Sequence, residues 1–209
     1  MILVKPSYTI TAVPENIEQQ LEAIGRVCYK SEGRITESSA ERFVGNLINR
    51  GHESVIEHLS ITARFVCDRG VSHELVRHRL ASFSQESTRY CDYVKGEIAF
   101  IIPPWVDVQQ GKYELGHQFE EAVREWCTGL LHAEQSYRAL RASGWKPEQA
   151  RSVLPNALKT EVVMTANLRE WRHVLKLRTS PAAHPQMREL MIPLQMQLTA
   201  MAPSIFKVL

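Results

Sequence analysis

The spacing of apolar residues along the chain predicts a mixture of strands and helices. Met1 to Val13 is rich in β-branched residues, which predicts an extended segment. From Glu15 to Lys30, apolar residues recur every three or four positions, as on one face of a helix. A second helix is predicted to start at Ser38, with Glu41 completing a capping box, and to stop near Gly51.

The middle of the chain predicts shorter elements. Leu59 to Asp68 alternates between apolar and polar residues, which is the pattern of a half-buried strand. Gly70 is predicted to end that strand, and Ser72 to cap a short helix that runs through Arg79. Ala99 to Ile102 is predicted to be a brief strand, since two prolines follow it.

Longer helices are predicted in the C-terminal half. Lys112 to Ser143 carries a stripe of aromatic and aliphatic residues and predicts one long helix, which Gly144 ends. Leu158 to Thr165 predicts a strand. His184 to Ala202 predicts a methionine-rich helix with a bend at Pro193. We assign no chemistry to these two helices, whose stripes indicate core or subunit contacts.

Composition narrows the function only slightly. A chain of 209 residues suits one domain with a substantial core, and a net charge of +2 gives no strong case for a nucleic-acid or membrane surface. The sequence shows neither a signal-peptide pattern nor an apolar run of bilayer length. The four cysteines are widely spaced, without a Cys-x-x-Cys pair, which favours reduced thiols in a cytoplasmic enzyme.

Chemically versatile side chains concentrate between Ser72 and Tyr90. Arg77, His78 and Arg79 are consecutive there, so no helix or strand can direct all three the same way. An arginine fork beside several hydroxyl groups suits an anionic ligand such as a phosphate ester. The alternative is an exposed, salt-bridged turn.

The residues after this triplet predict a polar strand. Alternate side chains of a strand point to opposite faces. One face would then carry Gln85, Ser87 and Arg89, and the other Ser84, Glu86 and Thr88. Whether Ser87 is chemically active or only donates a hydrogen bond stays open; we favour the donor role because no histidine can be placed beside it as a base.

Histidine spacing argues against a zinc-binding helix. Such a helix carries two histidines four positions apart. His52 and His58 are six apart, and His73 and His78 are five apart. Capping or closing a turn is the structural alternative for His52 and His58, and no metal site is predicted.

The helix predicted from Leu168 ends at an unusual position. Asn167 and Glu170 have the spacing of a capping box, and a helix N-terminus also attracts anionic groups. The apolar stripe of this helix continues to Arg178, where a buried face meets a cation. Arg178 therefore either binds a ligand or satisfies the last carbonyl groups of the helix.

The run Arg77-His78-Arg79-x-x-Ser82, followed by Ser87-Thr88-Arg89-Tyr90, resembles the signature of the flavin-dependent thymidylate synthases. Residues 51–58 (His-x-Ser-x-x-Glu-His) and the Arg-x-x-Leu-Pro run at 151–155 resemble two other segments of that family. The resemblance covers residues 51–58, 72–90 and 147–178. Ser84-Gln85 stands where the family often has Asn-Glu, which removes one carboxylate from a ligand-facing position.

The resemblance implies two groups of site residues. The substrate-binding group is Glu74, Arg77, Gln85, Glu86, Ser87, Thr88, Arg89, Arg151, Arg178 and His52. The cofactor-binding group is Ser54, Arg77, His78, Arg79, Gln85, Asn167, Leu168, Arg169 and His173. Arg178 is the implied catalytic residue, because the matching arginine of the family contacts and helps polarise the pyrimidine. Arg151 is implied to reach the nucleotide phosphate from a neighbouring subunit.

The implied reaction is the reductive methylation of dUMP to dTMP, with 5,10-methylenetetrahydrofolate as carbon donor and NADPH as reductant through bound FAD. The implied fold is α+β, an antiparallel-rich central sheet with packed helices in one domain spanning residues 1–209, assembled as a homotetramer that shares its sites between subunits. The chain has no Gly-x-Gly-x-x-Gly loop, so the flavin site is not of the Rossmann type.

Two alternatives remain. One is a deoxynucleotide-binding relative that has lost catalysis, which the Ser84-Gln85 departure keeps open. The other is a nucleic-acid-binding module that uses the arginines, against which the near-neutral net charge counts.

Overall fold

The computed structural model describes residues 1–114 and 116–207 and contains both strands and helices. The strands are β1 Ile2–Val4, β2 Ser7–Ala12, β3 Ser60–Asp68, β4 Ala81–Gln85, β5 Ala99–Ile101, β6 Gly111–Lys112 and β7 Lys159–Asn167. The helices are α1 Ile17–Val27, α2 Ala40–Asn49, α3 Arg69–Leu75, α4 Glu121–Ala142, α5 Pro147–Ala150, α6 Leu168–Arg178, α7 Pro185–Met201 and α8 Pro203–Phe206. Short 3₁₀ turns span Glu32–Arg34, Glu53–Glu57, Tyr93–Lys95 and Arg151–Val153.

The strands form two sheets. One has three strands in the order β5-β1-β6, in which β1 is parallel to β5 and antiparallel to β6. The other has four strands in the order β2-β3-β7-β4. The strands and packed helices confirm the predicted α+β class, but the strands form two sheets where one central sheet was predicted. Among the described residues, no helix is both long enough and apolar enough to cross a membrane.

The contacts within the chain define two compact units. The first comprises Met1–Ser7, Phe65–Arg77 and Ser84–Val162, and the second comprises Tyr8–Arg64, His78–Phe83 and Val163–Leu209. Strands β3, β4 and β7 therefore each contribute residues to both units. A single domain spanning residues 1–209 stays a prediction.

The core of the first unit is built around the three-stranded sheet and α4. Leu3 and Phe100 on the sheet are fully buried, and Leu130 and Tyr137 bring the apolar face of α4 into the same cluster. The predicted stripe of this helix is thus confirmed for its inner positions. Gly144, at a φ of +89°, ends the segment as expected, because glycine adopts the left-handed region without strain.

The second unit packs helices against one another and against β3. Trp171 of α6 is fully buried and donates its indole N–H to the Ile61 carbonyl at 3.0 Å. Helices α1 and α2 approach closely at Gly25, where an added Cβ would lie 2.8 Å from the Phe43 ring. Ile61 and its alternate neighbours on β3 are buried, which confirms the half-buried strand.

Two predicted helix starts are wrong. Helix α2 begins at Ala40, and Ser38 does not cap it; the Ser39 hydroxyl next to it donates to the buried Glu22 carboxylate at 2.7 Å. Helix α3 begins already at Arg69, because Asp68 accepts a hydrogen bond from the Val71 N–H at 2.7 Å. A carboxylate N-cap directly after the strand thus replaces the predicted cap.

Two predicted helix extents are also wrong. Helix α3 ends at Leu75 instead of Arg79, so the Arg77-His78-Arg79 triplet lies beyond the helix. Helix α4 begins at Glu121, and Lys112 instead lies in β6, paired with Ile2. Pairing with a strand at the other end of the chain is not visible in local periodicity.

Candidate active site

The Arg77-His78-Arg79 triplet separates as predicted. His78 is buried, whereas Arg77 and Arg79 are exposed. Because α3 ends at Leu75, the backbone is free to turn the middle side chain inward. The alternative prediction, an exposed and salt-bridged turn, is therefore wrong for His78.

His78 connects two side chains of α6. Arg178 donates its Nε–H to His78 Nε2 at 3.0 Å. On the other side of the ring, His78 Nδ1 lies 3.5 Å from Glu170 Oε1, and both side chains are about 5% exposed. The three residues form a chain of contacts from carboxylate through imidazole to guanidinium, in which the Arg178–His78 contact is a hydrogen bond and the Glu170–His78 contact is longer.

This geometry determines the protonation of His78. An imidazole nitrogen that accepts from Arg178 carries no proton, so the proton is on Nδ1, facing Glu170. Burial, together with the positive charges of Arg178 and His173, lowers the pKa of His78 to about 4. Burial raises the pKa of Glu170. His78 is consequently neutral at neutral pH and holds Arg178 by accepting its hydrogen bond.

The same region brings together three potential metal ligands. Donor atoms of His78, Glu170 and His173 lie within 4.8 Å of one another. In the part of the chain that the structure describes, this is the one cluster of three His, Cys, Asp or Glu side chains that could hold a metal ion. The sequence analysis selected His78 and His173 for the cofactor but did not group them with Glu170 as metal ligands, although Glu170 and His173 lie three positions apart on one helix face. A dication here would share the imidazole of His78 with the Arg178 guanidinium, so repulsion between the two cations disfavours it.

Arg178 lies where the sequence predicted it, at the end of the apolar stripe of α6. Leu168, Trp171, Val174 and Leu175 of that stripe are buried, and Arg178 itself is half-buried. Its contact with His78 shows that it does more than neutralise helix carbonyl groups. Asn167 caps the same helix by accepting from the Glu170 N–H at 2.9 Å, as predicted. The Glu170 carboxylate, however, is directed to His78.

A separate cluster in the first unit joins two predicted substrate residues. Thr88 is buried, and its hydroxyl accepts a hydrogen bond from Arg151 Nη1 at 2.8 Å. Both line a cavity of about 230 Å³, to which Arg69 and His73 also contribute. Two guanidinium groups, an imidazole and a hydroxyl group suit a small anion such as a phosphate. The sequence analysis did not select Arg69 or His73, because their pairing with Arg151 depends on tertiary structure.

Gln85 and Glu86 make contacts within the protein. Gln85 donates its amide N–H groups to Ser72 Oγ at 2.8 Å and Thr160 Oγ1 at 3.3 Å. Glu86 accepts from the Tyr93 hydroxyl at 2.7 Å and from Lys159 at 3.1 Å. The two neighbours thus point to different partners, as the strand pattern predicted.

The predicted strand faces do not extend beyond this point. Strand β4 ends at Gln85, so the prediction that Ser87 and Arg89 continue its face is wrong. The Ser87 hydroxyl accepts from the Arg89 N–H at 3.2 Å, and no histidine bonds to it among the described residues. Arg89 is exposed and lies 3.7 Å from Glu148, a contact of little energetic weight at such exposure.

The remaining predicted site residues lie mostly at the surface. Ser54 is exposed, as is His52, whose Nδ1 lies 3.4 Å from the Tyr29 hydroxyl. Arg169 is about half exposed and is paired with Glu57 at 2.6 Å and Glu53 at 3.3 Å. Leu168 is buried, and its N–H donates to the Leu59 carbonyl.

Known proteins resemble this chain over nearly its full length. The family model described as thymidylate synthase complementing protein matches residues 9–204. The flavin-dependent thymidylate synthase of Mycobacterium marinum is 33% identical over 213 aligned positions, which cover 98% of this chain and 84% of that protein. That of Geobacter sulfurreducens is 33% identical over 197 positions, covering 91% and 81%.

A solved structure shares the fold. The UMP/dUMP methylase PolB from Streptomyces cacaoi, bound with 5-Br dUMP, matches 99% of this chain and 96% of its own with a TM-score of 0.79, at 23% sequence identity. The family match, the identity to full-length relatives and the Arg77-to-Tyr90 signature agree with one another. The chain belongs to the flavin-dependent thymidylate synthase family and is an enzyme of this kind.

Proposed function

We propose that the protein catalyses the reductive methylation of dUMP to dTMP, with 5,10-methylenetetrahydrofolate as carbon donor and NADPH as reductant. The observation that carries this proposal is the buried Glu170–His78–Arg178 chain, formed by residues of two segments that resemble the family. It presents an arginine whose side chain is oriented by a hydrogen bond within the protein.

The cavity beside Thr88 and Arg151 supports binding of the nucleotide phosphate. Its two arginines, Arg69 and Arg151, offer planar donors that match phosphate oxygens, and the buried Thr88 hydroxyl holds Arg151 in place. The fold neighbour from Streptomyces cacaoi was crystallised with a dUMP analogue, which supports the choice of nucleotide. In this proposal the exposed Arg77 and Arg89 and the Ser87 hydroxyl add further contacts to the nucleotide.

Arg178 is proposed to stabilise negative charge that develops on the pyrimidine ring. A donor held before the reaction begins needs no reorganisation in the transition state, which makes it effective. His78 provides this preorganisation by accepting the Arg178 Nε–H, and Glu170 keeps His78 in the required tautomer. Glu170 and His78 are thus positioning residues toward Arg178.

The donor set of the second unit suits a flavin dinucleotide held by side chains and a helix end. Arg79 and His173 offer a guanidinium and an imidazole group, and Asn167 marks the N-terminus of α6, where anionic groups are favoured. Bound FAD would supply the two electrons that convert the transferred methylene into a methyl group. The proposal includes a cytoplasmic homotetramer with sites shared between subunits.

The test is spectroscopic and chemical. Purified protein should be yellow, retain FAD non-covalently and be bleached by NADPH under anaerobic conditions. Adding dUMP and methylenetetrahydrofolate should then restore the flavin absorbance and yield dTMP with tetrahydrofolate. Dihydrofolate as product would mean that the folate itself was the reductant, and protein that cannot be reconstituted with FAD would contradict the proposal. Bound nucleotide without turnover would indicate the inactive relative.

A further inference from the structure

A basic pocket lies between α1, α2 and the turn Glu32–Arg34, and none of its lining residues belongs to the site groups above. Its volume is about 840 Å³, which is within the range of small-molecule sites, ~300–1,000 Å³. Its cationic lining residues are Arg26, Lys30, Arg34, Arg42 and Arg50. None of the described lining residues carries a carboxylate.

One wall of this pocket is rigid. Arg26 donates to Glu22 Oε1 from Nε at 3.0 Å and from Nη2 at 2.6 Å, and its guanidinium carbon lies 4.2 Å from the Phe43 ring centroid. Glu22 is buried, so this ion pair is held inside the protein. The five cationic lining residues and the one carboxylate of Glu22, which pairs with Arg26, together give a formal charge of 5 − 1 = +4.

The rim of the pocket contains a polar group that lacks a partner. Lys30 has a φ of +47°, a conformation that is uncommon for residues other than glycine. The next residue, Ser31, has a buried hydroxyl oxygen with no hydrogen-bond partner among the described residues. Buried polar atoms are nearly always satisfied in folded proteins. Ser31 lines the pocket, so rotation of its side chain toward the pocket would let a ligand oxygen satisfy the hydroxyl.

We propose that this pocket binds the multiply charged anionic end of one of the two cosubstrates, either the phosphates of the nicotinamide dinucleotide or the polyglutamate tail of the folate. Arginine forks pair with phosphate and with carboxylate groups alike. Tyr29 lines the pocket, and its hydroxyl lies 3.4 Å from His52 Nδ1, which connects the pocket to a residue of the substrate group. The identity of the cosubstrates rests on the proposed function, whereas anion binding by the pocket does not.

The test uses the full-length flavoprotein and the double variant Arg42→Gln/Arg50→Gln. Both positions are exposed, and glutamine suits a helix such as α2. Calorimetric titration with 2′,5′-ADP and with penta-γ-glutamate measures anion binding without turnover. We expect one of these probes to bind the wild type and to lose affinity about tenfold in the variant, since two exposed cations are removed. The control, Arg124→Gln on the exposed face of α4, should bind as the wild type does.

Kinetics then identify the ligand. If the dinucleotide binds here, KM for NADPH rises in the double variant while KM for NADH, which lacks the 2′-phosphate, changes little. If the folate tail binds here, KM rises for the pentaglutamyl donor more than for the monoglutamyl one. If the double variant does not fold, the same measurements are made on the single variant Arg34→Gln. If both variants bind the probes with the affinity of the wild type, the proposal is overturned. If the wild type binds a probe but holds no flavin or shows no turnover, the result counts against the proposed function alone.

Discussion

Replacing Glu170 by alanine tests whether the buried chain of contacts positions Arg178. Glu170 Oε1 lies 3.5 Å from His78 Nδ1, and Arg178 Nε donates to His78 Nε2 at 3.0 Å. In Glu170→Ala, the Nδ1–H of His78 loses its acceptor at a place that is shielded from water. The ring is then free to adopt the other tautomer, in which an Nε2–H faces the Arg178 Nε–H. Two facing donors repel, so Arg178 would lose its hydrogen bond to His78.

The structure sets the size of the effect. An unsatisfied buried donor costs ~1–3 kcal/mol of unfolding free energy. The 3.5 Å separation between His78 and Glu170 is long for a hydrogen bond, so we expect a cost near the lower end, about 1 kcal/mol. A preorganised transition-state donor is worth ~3–4 kcal/mol. Misorienting Arg178 without removing its charge should cost about half of this, which corresponds to a decrease in kcat of roughly 10–30-fold.

The assay compares kcat, KM for dUMP and flavin content among four proteins. Glu170→Ala should lower kcat more than it raises KM, while keeping its flavin. Glu170→Gln should recover most of kcat, because its amide oxygen can still accept the Nδ1–H. Lys176→Ala, an exposed change on the same helix, should behave as the wild type. A wild-type kcat in Glu170→Ala, or equal impairment in the glutamine and alanine variants, would refute the positioning role.

Three further predictions concern Arg178, Cys91 and His78. Arg178→Ala should lower turnover by ~3–4 kcal/mol in activation free energy while leaving flavin bound, and Arg178→Lys should also fail, since an ammonium group cannot reproduce a planar fork; near-normal turnover would remove Arg178 from the mechanism. Cys91→Ser should leave dTMP formation largely intact, and mass spectrometry that traps a covalent Cys91–nucleotide adduct would contradict this. Because the pKa of His78 is lowered to about 4, its contribution of about 3 kcal/mol to stability is complete above pH ~6.5 and is lost as the pH falls toward 4, partly offset by the raised pKa of Glu170. Urea titrations of the wild type should show this loss of stability. If His78→Asn loses the same stability over this pH range, the prediction is wrong.

Local sequence patterns correctly predicted the elements in which one face is buried and the other is not. The alternation along β3 and the stripe along α6 both follow from one face of the element being packed and the other not. The Asn167 cap followed from its spacing to Glu170, because a cap involves only neighbours in the chain. The unusual position of Arg178 at the end of a buried stripe was visible for the same reason.

Elements that depend on distant partners were predicted less well. Helix α4 starts later than predicted, because Lys112 pairs with Ile2 in a sheet instead of joining the helix. Strand β4 ends at Gln85, at the edge of its sheet beside β7, which the alternation of residues in the sequence did not predict. The periodicity of a short sequence segment does not indicate which distant strand will pair with that segment.

The sequence by itself predicted which residues carry the chemistry, through the Arg77-to-Tyr90 signature and the polar end of the α6 stripe. Only the tertiary structure decided how these residues act together. Glu170 reaches His78, and Arg151 reaches Thr88, across long intervals of sequence. The tautomer and the lowered pKa of His78 follow from burial between those partners. Burial and charge proximity are properties of the folded arrangement, so no local pattern of residues contains them.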